Sequence, residues 1–409
     1  MGYEYPICVH SNIAVKNCKA ESAIPLSEKC VFIFDLKAQI EYDIIIEFLF
    51  SKRAKILMTK TAIVGCGSIA HTHAQVLGQM ENVSLTAFCD IIPARAREFS
   101  DRYTSGRSQD FSDGITSGRA RIYTDLEQML ANEDIDVVHI CTPHYLHVPM
   151  ILSAVSHGVS AFCEKPPAIS MEQFEELETV VGTKSASAEA SAKPCRIGFC
   201  FQNRYNQTVR KAEELLRQGT FGRLTGARGF VTWRRDENYY ETDWKGLLAT
   251  EGGGALINQS IHTLDLLLHF LGRPVRVGAS ISNHHLQGKI EVEDTVEAWL
   301  EFAGGERACF YASTAYACDA PVLIELQCES GSISLLNGAL LLQRNGQVPE
   351  VLPVDEENGF GKSYWGNGHT ACIRDFYASL HSGTSFANDL GSVRTTMEVM
   401  MKIYGQARK

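Results

Sequence analysis

Two patterns in the sequence predict an α/β fold in two parts. From residue 61 to 181 short apolar strands alternate with helices, and a glycine-rich turn opens the first helix. From residue 226 onward a run of strand-like segments has few helices between them. The first pattern implies parallel strands joined by crossover helices, the second a mostly antiparallel sheet. A chain of 409 residues exceeds the size at which a single core stops growing, so two domains are expected.

The elements follow in order. Residues 61–64 read as an apolar strand, 69–80 as a helix, 84–89 as a second strand and 95–103 as a second helix. The Ser- and Gly-rich stretch 104–118 reads as a loop. A short helix at 125–131 precedes a β-branched strand at 137–141, a helix at 149–157, a strand at 159–163 and a helix at 171–181. Residues 182–194, rich in Ser, Ala and Lys, read as a flexible connection between the domains. Beyond it come a strand at 197–201 and a helix at 209–218, closed by Gly219. Strand-like segments follow at 226–233, 275–282, 294–302, 307–314, 322–329 and 332–336, with helices at 256–271 and 369–381. Residues 1–58 carry no clear period or motif and are expected to be an N-terminal extension. Met58 directly precedes the first clean strand, so the working protein is expected to begin there, which N-terminal sequencing of the natural product tests.

Composition narrows the function. Hydrophobic residues make up 45% and charged residues 21%, an ordinary globular balance that argues against disorder and fibres. The net charge of −10 gives no electrostatic support to nonspecific nucleic-acid or anionic-membrane binding. No run reaches the ~18 apolar residues of a spanning helix. The 13 cysteines form no CxxC pair. They are expected to be buried thiols in a reducing cytoplasm, with no metal site.

Gly65, Cys66, Gly67, Ser68, Ile69 and Ala70 match GxGxxG/A between a strand and a helix. Gly65 allows the tight turn, Gly67 lets backbone approach a pyrophosphate, and Ala70 permits close helix–strand packing. The helix N-terminus then offers free N–H groups to phosphates. Asp90, ending the second strand, is placed either to bind the adenosine ribose hydroxyls, favouring NAD over NADP, or to cap a turn. Arg95 and Arg97 nearby leave NADP possible. His71 and His73 read as structural.

The later motifs make the sequence resemble the Gfo/Idh/MocA oxidoreductases, the glucose–fructose oxidoreductase and inositol dehydrogenase relatives. The resemblance runs from about Lys60 to the C-terminus. Its ordered series comprises Gly65 to Ala70; Asp90; Thr142, Pro143, His144 and His147; Glu164, Lys165 and Pro166; Asn203, Arg204 and Tyr205; Gly252, Gly253 and Gly254 through His262 and Asp265; and Gly368 and His369 before Asp375 and Phe376. It implies a Rossmann dinucleotide-binding domain, placed at 59–182, followed by an α+β substrate and oligomerisation domain at 195–409 with a large open, mostly antiparallel sheet. It also implies hydride transfer between a nicotinamide and a secondary hydroxyl of a sugar, cyclitol or nucleotide-linked sugar, in a homo-oligomer (a dimer or tetramer).

Oxidising an alcohol needs a base for the hydroxyl proton and a cation beside the developing alkoxide. Lys165 follows a strand at its carboxyl end, where α/β ligands sit; the resemblance makes it catalytic or substrate-orienting, against a salt bridge to Glu164. Asn258, His262 and Asp265 fall at i, i+4 and i+7 of one helix face. An imidazole with an ordinary pKa of ~6.5 suits proton abstraction, so His262 is assigned as base and Asn258, where relatives often carry Asp, as positioning. Thr142, Pro143 and His144, with Glu164 and Lys165, are expected around the cofactor. Arg204, Tyr205, Trp233, Arg234 and Tyr240 are expected at the substrate, by stacking and by charge, or else as a partly buried strand and a solvated loop. Two other readings stand beside the dehydrogenase: a redox-neutral NAD-dependent glycosidase-type enzyme and a non-catalytic dinucleotide or sugar sensor.

Overall fold

A computed structural model describes residues 58–104, 119–187, 195–336, 338–354 and 368–407. The extension expected over residues 1–58 thus lies outside the described residues apart from Met58, as does most of the loop at 104–118. The chain from Met58 to Lys409 forms one compact unit.

Its first layer is a six-stranded parallel sheet of β1 (Thr59–Val64), β2 (Val83–Cys89), β3 (Arg121–Tyr123), β4 (Val137–Ile140), β5 (Ser160–Cys163) and β6 (Ile197–Phe199). The order is β3-β2-β1-β4-β5-β6. Crossovers run through α1 (Ser68–Gly78), α2 (Pro93–Thr104), α3 (Leu126–Asn132), α4 (His147–Ser156) and α5 (Met171–Ser187). The strands are apolar on both faces because helices cover both, as the uninterrupted burial of Val137, Val138 and Ile140 shows. Two expected boundaries move. Helix α5 continues to Ser187 where a flexible connection was expected from 182, since residues 183–187 hold no glycine or proline to stop it. Strand β6 pairs with β5 and so belongs to this first sheet, although it was assigned to the second domain.

The second sheet has eight described strands in the order β14-β13-β12-β11-β7-β10-β9-β8. They are β7 (Leu224–Thr232), β8 (Arg276–Ser282), β9 (Thr295–Glu301), β10 (Arg307–Ser313), β11 (Leu323–Cys328), β12 (Gly331–Leu336), β13 (Ala339–Arg344) and β14 (Glu350–Leu352). Every pairing is antiparallel except β7 with β10. Alternation decides the faces: Val296, Ala298, Leu300, Phe310, Ile324 and Leu326 are buried, while Glu297, Trp299 and Cys309 between them are exposed. Full burial of a side chain such as Phe310 contributes roughly 1.5–3 kcal/mol. The buried face packs under α6 (Gln207–Arg217), α7 (Ile261–Leu271) and α9 (Leu390–Ala407). Helix α7 lies close on β7 because Gly229 has no side chain; a Cβ there would sit 2.8 Å from the Thr263 methyl.

Helix α8 (Gly368–Ser382) returns to the first layer, lying against α1 and sending Tyr377 to Thr61 and His139. The two expected domains are therefore interleaved by their C-terminal segment.

Candidate active site

Strand β1 ends at Val64, and the turn after it is fixed by three backbone donors. Gly65 N–H bonds the Cys89 carbonyl at 2.9 Å, and the Asp90 carboxylate accepts from Cys66 N–H and Ile92 N–H, each at 2.8 Å. Asp90 thus organises the turn with both of its carboxylate oxygens. Gly67 precedes α1 with no side-chain cap, and no acidic residue occupies the first turn, so the helix-end N–H groups await an acceptor. A Cβ built on Gly67 meets nothing within 4 Å. Ser68 is exposed at the helix start, Ile69 is half-buried, and Ala70 is wholly buried against the sheet. This open, uncapped cradle fits a dinucleotide pyrophosphate.

The loop after β4 carries Thr142, Pro143 and His144. His144 is buried; its Nδ1 lies 2.9 Å from the Glu251 carbonyl and its ring meets Trp244 edge-on. His147 bridges the Thr142 carbonyl (2.9 Å) and the Pro166 carbonyl (2.7 Å). Both imidazoles are held below their ordinary range, chiefly by burial. His147 stitches the loop to the turn that presents Lys165, where the Lys165–Pro166 bond is cis, and His144 ties it to the Glu251 loop.

Glu164 turns inward. Its Oε1 accepts from His73 Nε2 at 2.9 Å, His73 Nδ1 meets His139 Nδ1 at 2.8 Å, His139 Nε2 meets Tyr377 OH at 3.0 Å, and that hydroxyl meets Thr61 Oγ1 at 2.8 Å. One proton order satisfies every link with neutral rings and an ionised Glu164. Burial is the largest single influence and opposes that charge, yet the His73 hydrogen bond together with the attraction of His73, His369 and Lys165 outweighs it and keeps the carboxyl well below its usual range. Glu164 was expected beside the cofactor; its carboxylate is instead committed to this interior chain. His73, Glu164 and Cys200 bring ligand-type atoms within 4.8 Å of one another, but His73 and Glu164 already satisfy each other.

Lys165 points the other way. Its Nζ donates to the Asn258 carbonyl at 2.9 Å and to Asn258 Oδ1 at 3.3 Å, so one of its three ammonium donors stays uncommitted to these acceptors. Burial pulls its pKa down, opposed by Glu164 and Glu251. Asn258 lies not in a regular helix, as the sequence suggested, but in a wider π-helical turn, Ala255–Ser260, ahead of α7. The buried Glu293 accepts from Gly254 N–H and Leu256 N–H, and Ser260 Oγ donates to the Ala255 carbonyl. Gly254 has no alternative, since a Cβ would fall 2.1 Å from the Glu293 carbonyl oxygen.

His262 comes one turn later. Its Nε2 lies 3.3 Å from Gln202 Nε2, and its buried Nδ1 meets no hydrogen-bond partner. Burial first, and then the Lys165 ammonium, depress its pKa to about 3. Asp265, expected on the same face, is elsewhere employed: Arg204 holds it through Nε (2.8 Å) and Nη2 (2.6 Å), and Thr396 Oγ1 donates at 2.7 Å. Tyr205 OH donates to Asp375 at 2.6 Å. Arg204 and Tyr205 therefore pin α7, α8 and α9 together and do not line the pocket, correcting their expected role. Arg204→Ala should lower stability by about 3–5 kcal/mol, because it leaves the buried Asp265 without its cation and with only the Thr396 hydroxyl as partner. A thermal melt checks this, and a shift under about 1 kcal/mol would show the pair to be dispensable.

The aromatic and basic segment divides. Tyr239 OH accepts from Gln259 Nε2 (2.7 Å) and Asn258 Nδ2 (3.4 Å), Lys245 Nζ lies 3.7 Å from the Tyr239 ring centre, and Arg235 reaches Gln259 at 3.2 Å. Arg235, Tyr239 and Lys245 thus flank the Asn258 turn. Arg234 instead turns to the 317–319 loop through Ala317 and Asp319. Trp233 bonds the Ala320 carbonyl, and Tyr240 packs on the small cluster of Leu286, Ile290 and Val292. Trp233, Arg234 and Tyr240 were expected at the substrate, and these contacts correct that. Sequence reasoning passed over Gln202 and Glu251. Glu251 had a legible signal, a carboxylate directly before three glycines.

A family model described as an oxidoreductase family with an NAD-binding Rossmann fold matches residues 59–189, and one described as a GFO/IDH/MocA C-terminal domain matches residues 209–334. The chain is 26% identical over 267 residues to D-glucoside 3-dehydrogenase of Escherichia coli, covering 60% of this chain and 67% of that protein. It is 25% identical over 328 residues to trans-1,2-dihydrobenzene-1,2-diol dehydrogenase of Mus musculus, covering 76% and 87%. Its fold is similar to that of the WlbA dehydrogenase from Bordetella pertussis, crystallised with NADH and UDP-GlcNAcA. The TM-score is 0.69 at 23% identity, over 86% of this chain and 97% of that one.

Proposed function

The chain belongs to the Gfo/Idh/MocA family of NAD-binding oxidoreductases, and on that premise we propose that it interconverts a secondary hydroxyl and a carbonyl on a sugar, cyclitol or nucleotide-linked sugar. The observation that carries this reading is Lys165, at the carboxyl end of β5, with an ammonium donor uncommitted beside His262. NAD, when bound, supplies the nicotinamide carbon that takes up or returns the hydride. The uncapped N–H groups after Gly67 hold its pyrophosphate, and the Asp90 carboxylate disfavours the extra phosphate of NADP.

Within this reading the proton falls to Lys165. A ring depressed to about 3 binds a proton too weakly to abstract one near neutrality, so the base role expected for His262 passes to the lysine. Neutral His262, half-buried beside Lys165, orients the substrate. Lys165, as the neutral amine that its lowered pKa favours, takes the hydroxyl proton on oxidation, and as the ammonium returns it on reduction. Arg235, Tyr239, Trp244 and Lys245 offer a ring-stacking and anion-binding wall beside Asn258.

Reduced-nicotinamide absorbance over a panel of free sugars, inositols, sugar acids and nucleotide-linked sugars tests the proposal. Growth with one class, faster with NAD than NADP, is expected. No growth with any class, in protein that binds NADH, would favour the redox-neutral enzyme or the sensor.

The exposed face of the second sheet, with Trp299 46% and Tyr316 44% exposed, supports a homo-oligomer, which light scattering tests. Ten described cysteines, all free, support a reducing cytoplasmic setting, which cell fractionation tests. No helix among the described residues is long and apolar enough to cross a membrane.

A further inference from the structure

One carboxylate near Lys165 has no part in the reaction as described. Glu251 is 1% exposed, in the loop that ends at the three glycines. Its Oε2 accepts from Gly246 N–H and its Oε1 from Asn258 Nδ2. Asn258 turns its other amide atom, Oδ1, to Lys165 Nζ at 3.3 Å. The chain reads carboxylate, amide, ammonium, with every donor facing an acceptor.

That polarity depends on charge. A protonated Glu251 would present its O–H either to the Asn258 NH2 or to the Gly246 N–H, neither of which has a lone pair to offer. Rotating the amide would satisfy that proton but would turn the NH2 onto the Lys165 ammonium, donor against donor. The arrangement is therefore self-consistent with Glu251 ionised and Lys165 charged. An amide in the middle transmits orientation and charge preference without carrying the proton itself.

We propose that Glu251 is a positioning residue: its carboxylate, acting through the Asn258 amide, keeps the proton on Lys165 and so sets when that lysine gives it up. The proposal rests on reading Lys165 as the proton-carrying group. The other groups facing the pair are on several elements. Lys245 favours the Glu251 charge and Glu293 opposes it; Glu164 and Cys200 favour charge on Lys165, while His144, His147 and His262 surround it with their charged forms disfavoured by burial. Burial brings Glu251 to about 7, so its charge changes within the working range. As pH falls through that point Glu251 becomes neutral and the Asn258 amide loses its anchor.

Competitive labelling of the full chain with trace acetic anhydride, read at Lys165 by peptide mass spectrometry across pH, tests this without any substrate. Neutral amine reacts and ammonium does not, so the midpoint is the lysine's own. In Glu251→Gln the midpoint should fall by on the order of one pH unit, the interaction expected of one charge at this separation. Glu251→Asp, which keeps the charge, should lie between that variant and the wild type. Asn258→Ala, which keeps Glu251 but removes the amide, should also lower the midpoint and serves if Glu251→Gln does not fold. A midpoint unchanged in either folded variant overturns the proposal. Because the readout needs no turnover, a shifted midpoint in protein that oxidises nothing would sink the dehydrogenase reading while leaving the coupling in place. Where turnover is found, the alkaline rise of kcat/KM for oxidation should move to lower pH in Glu251→Gln by the same amount.

Discussion

Lys165→Ala should lower turnover by about 10²–10⁴-fold, the usual contribution of a positioned acid or base, and leave NADH binding within a few-fold of wild type. The separation follows from where the side chain goes. Its ammonium meets Asn258 Oδ1 and the Asn258 carbonyl, on the second layer, while the turn that holds the pyrophosphate is built by Gly65, Cys66 and Asp90 on the first. Initial rates and an NADH fluorescence titration on the same preparation check both halves. His262→Ala gives the decisive contrast. If Lys165 carries the proton, losing the orienting imidazole costs roughly 10–10²-fold and leaves the pH profile in place. An equal collapse in His262→Ala, with the alkaline rise abolished, would restore the imidazole as base.

The lysine and the histidine were both legible in the sequence, but their division of labour was not. An imidazole suits a base only at its ordinary pKa, and the sequence cannot report that His262 is buried beside an ammonium. The same gap explains Arg204 and Tyr205. A strand followed by Arg and Tyr looks like a pocket wall until the fold brings Asp265 and Asp375 from positions 61 and 170 residues further on to claim those side chains. The first sheet was nearly complete in the sequence because each strand is a short apolar run before a helix. β3, β13 and β14 escaped because three to six residues of mixed burial leave little period to read. Helix α9 had the period, with Val393, Met397, Met400 and Tyr404 buried, and a cap in Asp389, which accepts from Ser392 N–H, but sequence reasoning passed over that signal. The chain of Glu164, His73, His139 and Tyr377 joins four separate elements, and no local pattern announces it.

The glycine turn carries the second large effect, and its two glycines should fail in opposite ways. Gly65 sits at φ +84°, which costs an L-residue roughly 1–2 kcal/mol, and a Cβ there would lie 2.6 Å from the Cys141 carbonyl oxygen. That oxygen belongs to the strand end and cannot swing aside. Gly65→Ala should therefore lose about 2–4 kcal/mol of stability and melt several degrees lower, whatever it does to the cofactor. Gly67 has φ −93°, ordinary for any residue, and open space where its side chain would go. Gly67→Val should melt only a few degrees below wild type, since replacing glycine by valine at the residue before a helix costs on the order of 1 kcal/mol. Its branched side chain would nevertheless fill the space through which a pyrophosphate reaches the α1 N–H groups. NADH affinity should fall by more than about 10²-fold, because losing two or three charge-assisted hydrogen bonds removes roughly 3 kcal/mol or more. Calorimetric titration beside a thermal melt reads both properties. A folded Gly67→Val that still binds NADH like wild type would move the cofactor off this turn and leave Asp90 as a purely structural cap.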